Sequence, residues 1–203
     1  MISRKNGPRE NHRQGEEQMN YDPEERKELK TAIFRFLVLS LVVFSIYSPA
    51  LFNGSSSSVY FSPQGGCMQA IIKELDGAKK EVLVQAYAFT SAPVAEALLN
   101  AHTRGVKVKV LLDKSQKENK YSSADFLAHS GIPTMIDAAH RIAHNKVVII
   151  DGETVITGSF DFTPAAEEKN AENLLVIRDR GLPGRYIQNF WEHEVHAEPY
   201  SGK

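Results

Sequence analysis

The sequence predicts an α/β fold, a sandwich in which a mixed β-sheet is flanked by helices. Three observations carry this. Short β-branched runs alternate with stretches of helical apolar spacing through residues 59–203. Val147, Val148, Ile149 and Ile150 form a continuous apolar run, as in a strand buried on both faces. Asp151-Gly152 then reads as a tight turn, and Thr154-Val155-Ile156-Thr157 as the antiparallel return.

The other elements follow in order. Val59–Ser62 reads as a first strand. Residues 65–79 have helical spacing, with Met68, Ile71, Ile72 and Leu75 on one face. Residues 81–87 are a second strand, 93–103 a helix and 106–112 a third strand. Residues 123–129 are helical and 133–136 a short strand. After the hairpin, 173–177 is a strand, and 182–195 a closing helix whose Tyr186, Phe190 and Trp191 face a core.

The amino-terminal part differs in kind. Residues 1–30 carry 7 basic and 7 acidic groups and, with Thr31, read as a disordered polar tail over 1–31. Residues 32–52 contain the apolar run Phe36–Ile46, bounded by Arg35 and Pro49. That length fits a signal peptide or a membrane anchor. Small residues at Ser48-Pro49-Ala50 favour cleavage and export to a periplasmic or secreted location over inner-membrane anchoring. Residues 53–58, Asn-Gly followed by four serines, read as a flexible linker.

Composition excludes some classes. The net charge is −1, and residues 55–203 carry 16 basic and 18 acidic groups. No global basic field advertises a nucleic-acid binder. A local cluster stands out at Arg104, Lys107, Lys109, Lys114, Lys117 and Lys120. Alternation puts Lys107 and Lys109 on one strand face, either as a solvated edge or as a rim that tracks phosphates. The single cysteine, Cys67, excludes an intrachain disulfide.

The chemistry concentrates in His144-Asn145-Lys146 and Asp151, followed by Gly158-Ser159. In extended chain, His144 and Lys146 point to one side. A hairpin returns Ser159 toward them, and Gly158 allows close backbone approach to a phosphate. A neutral imidazole can attack phosphorus and form a phosphoenzyme. Lys146 supplies fixed positive charge to the phosphoryl oxygens, and Ser159 a hydrogen bond. A carboxylate on the far ring nitrogen would fix the tautomer. Asp151 or Glu172 could serve, and the turn position of Asp151 makes Glu172 the better candidate. His140 and His144 are four apart, as in a helical zinc pair. Their segment leads into a strand and lacks an HExxH glutamate, so no metal and no cofactor is expected. His193 and His196 are expected to be exposed and inert.

The spacing HxKxxxxD, with GS after six more residues, resembles the HKD signature of the phospholipase D superfamily. Gln85-Ala86-Tyr87, Arg104-Gly105-Val106, Ser130-Gly131-Ile132-Pro133 and Asn170-Ala171-Glu172-Asn173 are similar, in the same order, to segments of its small bacterial Nuc-type endonucleases. The resemblance implies a phospholipase D-like sandwich that cleaves DNA, and RNA as a further substrate, without metal. It also implies a homodimer, because each chain has one HKD copy and the superfamily site uses two. One histidine would be the nucleophile; its mate would protonate the leaving oxygen and then activate water. Asp161 departs from the family's usual asparagine. An ionised carboxylate cannot donate to a phosphate and repels it. Asp161 is therefore turned away, or protonated, or it weakens the site. Two other readings stay open: a phospholipase acting on lipids such as cardiolipin, and a membrane-held nucleic-acid-binding subunit without turnover.

Overall fold

A computed structural model describes the backbone of residues 22–51 and 54–203, and side chains over 22–40 and 54–203. Two compact units divide at Asn53 and Gly54.

The first unit is one helix, α1 (Pro23–Leu51). Residues 23–31, expected to be disordered, are helical. Pro23 opens the helix with the preset φ that suits a first turn, and Glu24 and Glu25 sit favourably beside its amino-terminal dipole. The amide of Glu24 also donates to Asp22 at 3.2 Å. Balanced charge in the sequence had masked these local start signals. The side chains described in this helix are exposed, including Phe34, Phe36 and Leu39. Among the described residues, no helix is long and apolar enough to cross a membrane. The expected tail over 1–21, and the side chains of the apolar segment from residue 41 onward, lie outside the described residues.

The second unit, Gly54–Lys203, is the α/β sandwich. Its elements are β1 (Ser56–Ser62), α2 (Cys67–Gly77), β2 (Glu81–Ala86), α3 (Ala92–Thr103), β3 (Lys107–Asp113), α4 (Ser115–Glu118), α5 (Ala124–His129), β4 (Thr134–Asp137), β5 (Lys146–Ile150), β6 (Thr154–Gly158), α6 (Pro164–Glu168), β7 (Glu172–Arg178), α7 (Leu182–Glu194) and β8 (Glu198–Tyr200). They form one sheet in the order β1-β7-β6-β5-β2-β3-β4-β8. Pairing is parallel for β2–β3 and β3–β4 and antiparallel elsewhere, so the sheet is mixed as expected.

The linker expected over 53–58 is shorter than that. Ser56, Ser57 and Ser58 pair with Arg178, Ile177 and Val176. Their side chains are exposed, so backbone bonding alone makes this part of the strand and no apolar pattern announces it.

The sheet buries side chains on both faces. The larger core gathers Ile71, Leu75, Leu98, Val148, Ile156 and Phe160 with their neighbours under the helices of that face. The smaller gathers Leu83, Leu111, Val147, Ile149 and Val155 under Phe190 of α7. Val147 to Ile150 divide between the two, which is why that run is apolar throughout. Cys67 packs in the larger core, and burial pushes its thiol up to about 11.

Candidate active site

β2 and β5 run antiparallel in register, with Ala86 opposite Lys146. The carboxyl end of β2 therefore meets the amino end of β5. The Tyr87 amide extends that pairing by donating to the Asn145 carbonyl at 2.9 Å. β6 delivers Gly158 and Ser159 to the same end of the sheet, and β7 begins there with Glu172. Three adjacent strands, β5, β6 and β7, thus bring His144, Lys146, Ser159 and Glu172 to one end of the sheet.

Gly158 has φ 154° and stands so close to β7 that a Cβ there would meet the Asn173 carbonyl oxygen at 2.2 Å. Its small size serves the pairing of β6 with β7. The expected role of admitting a phosphate to the backbone is not what this contact calls for.

Lys146 is buried, with 8% of its surface exposed. Its Nζ lies 3.3 Å from His144 Nε2, 2.9 Å from Asp161 Oδ1 and 5.1 Å from the centre of the Tyr87 ring. An ammonium has only donors, so in a hydrogen bond between the two it is Nε2 that accepts, through its lone pair. This is the form in which an imidazole is a nucleophile. The His144 ring is exposed and packs on Tyr87 at 4.5 Å between centroids.

Asp161 is set by its neighbours. Phe160 and Phe162 are fully buried, and the Phe162 carbonyl accepts from the Thr90 and Ser91 amides at 2.9 Å each. The Phe162 ring meets Phe89 edge-on at 5.6 Å. With those two anchored inward, Asp161 faces the ammonium. The contact is an ion pair whose angles do not make a hydrogen bond, leaving Oδ1 buried without a donor. Of the three outcomes open for Asp161, turning away from the site is the one the structure does not adopt.

Ser159 and Glu172 form a second pair. Ser159 Oγ donates to Glu172 Oε2 at 2.5 Å and accepts from the Asn173 amide and side chain at 3.1 and 3.2 Å. Glu172 also accepts from Asn170 at 3.2 Å, and its amide donates to Ser62 Oγ at 3.2 Å. Among the described contacts Glu172 makes none with His144, so the expected tautomer-fixing bond is not formed in this state.

Three expected residues stand elsewhere. Asp151 closes the far end of β5. With φ 56° it occupies the left-handed region, followed by Gly152 at 70°. Its carboxylate accepts from the amides of Lys79, Lys80 and Glu81 at 2.9, 2.7 and 3.0 Å. Burial pushes this carboxyl up, but those three amides outweigh it and hold it below its ordinary range. Asp151 thus joins the β2 approach to the hairpin and does not reach His144. Lys107 and Lys109 also lie at that far end, where Lys107 pairs with Glu81. Lys109 Nζ is bound to Glu194 at 2.7 Å and sits 4.6 Å over Trp191. Strand alternation placed both lysines correctly on one strand but could not say which end of the sheet they occupy. Lys114, Lys117 and Lys120 follow the other end of β3 and are exposed.

Sequence reasoning also missed supporting residues. Tyr87 walls both His144 and Lys146; the sequence offered it only within the Gln85-Ala86-Tyr87 segment at the end of a strand, with no role attached. Asp113 accepts from the Ala143 amide at 2.7 Å and so fixes the segment that enters β5. His193 and His196, expected to be inert, converge with His140 on the buried Asp137. Burial pushes the Asp137 carboxyl up; bonds from His193, His140, the Ala139 amide and His196 outweigh this and hold it at about 2.

The chain is similar to known proteins. A family model described as "Cardiolipin synthase, PLD-like domain" matches residues 71–194. The chain is 42% identical over 154 residues to a phospholipase D of Rickettsia conorii, covering 76% of this chain and 77% of the relative. The crystal structure of Nuc from Salmonella typhimurium, a phospholipase D family member, matches with TM-score 0.70 and 35% identity. It covers 72% of this chain and 99% of its own. NucT from Helicobacter pylori matches with TM-score 0.68 over 72% of this chain and all of its own; at 23% identity it is a likeness of fold.

Proposed function

This chain belongs to the phospholipase D superfamily of phosphodiesterases, and on that premise we propose that it is a metal-independent nuclease acting on DNA, with RNA as a second substrate. The observation that carries the reading is the pairing of an exposed His144 with a buried Lys146 at 3.3 Å. The histidine is accessible to a phosphodiester, while the lysine holds a charge that water does not screen.

In the proposed reaction His144 Nε2 attacks phosphorus, forming the P–N bond as the P–O bond to the leaving group breaks. Lys146 stabilises the phosphoryl oxygens. The equivalent histidine of a second copy protonates the leaving oxygen. It then takes a proton from the water that cleaves the P–N bond. The single HKD copy per chain is what supports a homodimer. Two features favour nucleic acid over lipid: polar surroundings at Ser159, Asn170 and Asn173, and the exposed Lys114, Lys117 and Lys120. Asp161 is a local counter-charge to Lys146, and Ser159 with Glu172 forms the polar rim. Residues 32–52 support an exported or membrane-held protein.

Hydrolysis of a phospholipid such as cardiolipin is the second reading, favoured by the name of the R. conorii relative and by the description of the family model. The test sets the chain beside a His144→Ala variant, in excess EDTA, at a temperature where circular dichroism shows the fold intact. Substrates are plasmid, single-stranded DNA, RNA and cardiolipin vesicles. Cleavage of nucleic acid by the wild type alone is the expected result. Cleavage of lipid alone would move the chain to the second reading, and binding of DNA with no turnover would leave it a binding subunit.

A further inference from the structure

Asp137, His140, His193 and His196 form a cluster that the proposed reaction does not use. Asp137 ends β4 and is buried, with 2% of its side chain exposed. His140 follows three residues later, His193 lies in the last turn of α7, and His196 follows that helix. Two i, i+3 pairs, far apart in sequence, therefore meet at one carboxylate. Asp137 Oδ2 is 2.6 Å from His193 Nδ1 and 3.2 Å from His140 Nδ1, while Oδ1 is 3.3 Å from His196 Nε2. The rings gather as well, with centroid separations of 4.8 Å for His140–His193, 5.3 Å for His140–His196 and 5.5 Å for His193–His196.

We propose that these four residues bind a divalent transition-metal ion, of which zinc is the best fit, as a structural site separate from the phosphodiesterase centre. The donor set is three imidazole nitrogens and one carboxylate oxygen. That set suits zinc and its neighbours, whereas calcium and magnesium take oxygen ligands. Zinc bonds of about 2.0–2.1 Å set tetrahedral ligand separations near 3.3 Å. All four ligand atoms already lie within 4.8 Å of one another, so small side-chain rotations close the shell. The exposed rims of His140 and His196, at 47% and 35%, leave an entry path, and Asp137 forms the floor. The Ala139 amide donates to Asp137 Oδ1 at 3.1 Å, an outer bond that orients the carboxylate with Oδ2 toward the ion. Four protein ligands leave no open position, which marks the site as structural.

Its location gives it a use. His140 lies in the segment between β4 and β5 that ends at His144. That segment is held by Lys114 Nζ, which donates to the His140 carbonyl at 2.8 Å, and by Asp113, which accepts from the Ala143 amide. Asp137, His193, Ala143 and Asn145 line one small pocket, so the cluster shares a wall with the residues that precede Lys146. An ion here ties the approach to His144 onto the end of α7.

The test uses the full-length chain, stripped with chelator and titrated with Co2+ and then Zn2+. The expected result is one Co2+ per chain with the visible bands of tetrahedral cobalt, displaced by Zn2+, and a rise in Tm of roughly 5 °C with saturating Zn2+. The His196→Ala variant weakens binding at least about tenfold. His140→Ala/His196→Ala abolishes the bands with an unchanged circular dichroism spectrum, and His144→Ala retains them. Absence of saturable binding in the wild type, bands that survive in the double variant, or bands lost with His144→Ala would each overturn the site.

Discussion

The two ends of β5 carry one sequence motif and do opposite work. At the amino end His144 is exposed, Lys146 is buried against Tyr87 and Asp161, and one buried carboxylate oxygen lacks a donor. At the carboxyl end Asp151 has three amide donors and a left-handed backbone that an aspartate tolerates. The first end holds charges in tension; the second leaves nothing unsatisfied at its carboxylate. Five strand residues, about 17 Å of extended chain, separate them. The difference teaches that a shared motif is not a shared site. On the proposed reading the HxK part carries the chemistry, while the aspartate holds the turn that follows the strand.

The largest effect should come from the reactive end. His144→Ala is expected to lower kcat by about ten-thousand-fold, measured as plasmid cleavage, with Tm within a degree or two of wild type. A large fall in Tm would show that the exposed imidazole is structural after all. Lys146→Met should cost about a hundred- to a thousandfold in kcat, and single-turnover assays place the loss in the chemical step if substrate affinity is retained.

The turn end should answer in stability. Asp151→Ala removes the acceptor of three amides and puts alanine, which tolerates the left-handed region less well than aspartate, at φ 56°. It should lose about 3 kcal/mol, read as a Tm lower by roughly 9 °C, with kcat/KM kept within about threefold below the melting range. A loss of activity without loss of stability would return Asp151 to the catalytic set. This contribution also has a sign in pH. The folded carboxyl is held below its unfolded value, so its stabilisation is complete above about pH 4. It fades as pH falls further, and the Tm difference between variant and wild type should shrink with it.

The smallest expected change is a gain. Asp161→Asn removes the carboxylate beside Lys146 and should raise kcat/KM about fivefold, roughly 1 kcal/mol. A decrease would show that the carboxylate takes part in the reaction.

Much of the sandwich was legible in the sequence because its elements announce themselves by apolar period. Val147–Ile150 and the helix faces of α2 and α7 are of this kind. Ser56–Ser58 and the short β8 are held by backbone bonds on the sheet's edges, and no side-chain pattern betrays them. The site was legible where spacing fixes geometry. His144 and Lys146 are two residues apart at the start of a strand, so in extended chain they fall on one side. The bond expected between Glu172 and His144 depended on packing across strands, and Ser159 holds Glu172 instead. The gathering of His193 and His196 on Asp137 was hidden for the same reason, since it depends on where α7 ends over the sheet.

The ion pair at the buried end of Lys146 has a consequence for traffic through the site. An anion arriving there does not fall into an empty positive hole; it must exchange with a resident carboxylate 2.9 Å from the ammonium. Free sulfate and inorganic phosphate, which bring charge and little else, make that exchange poorly. On the proposed reading, a nucleic acid that also binds beyond the reacting phosphate would drive it. On the proposed reading Asp161 would act as a built-in competitor, at some cost in turnover, against the small anions of the surrounding medium.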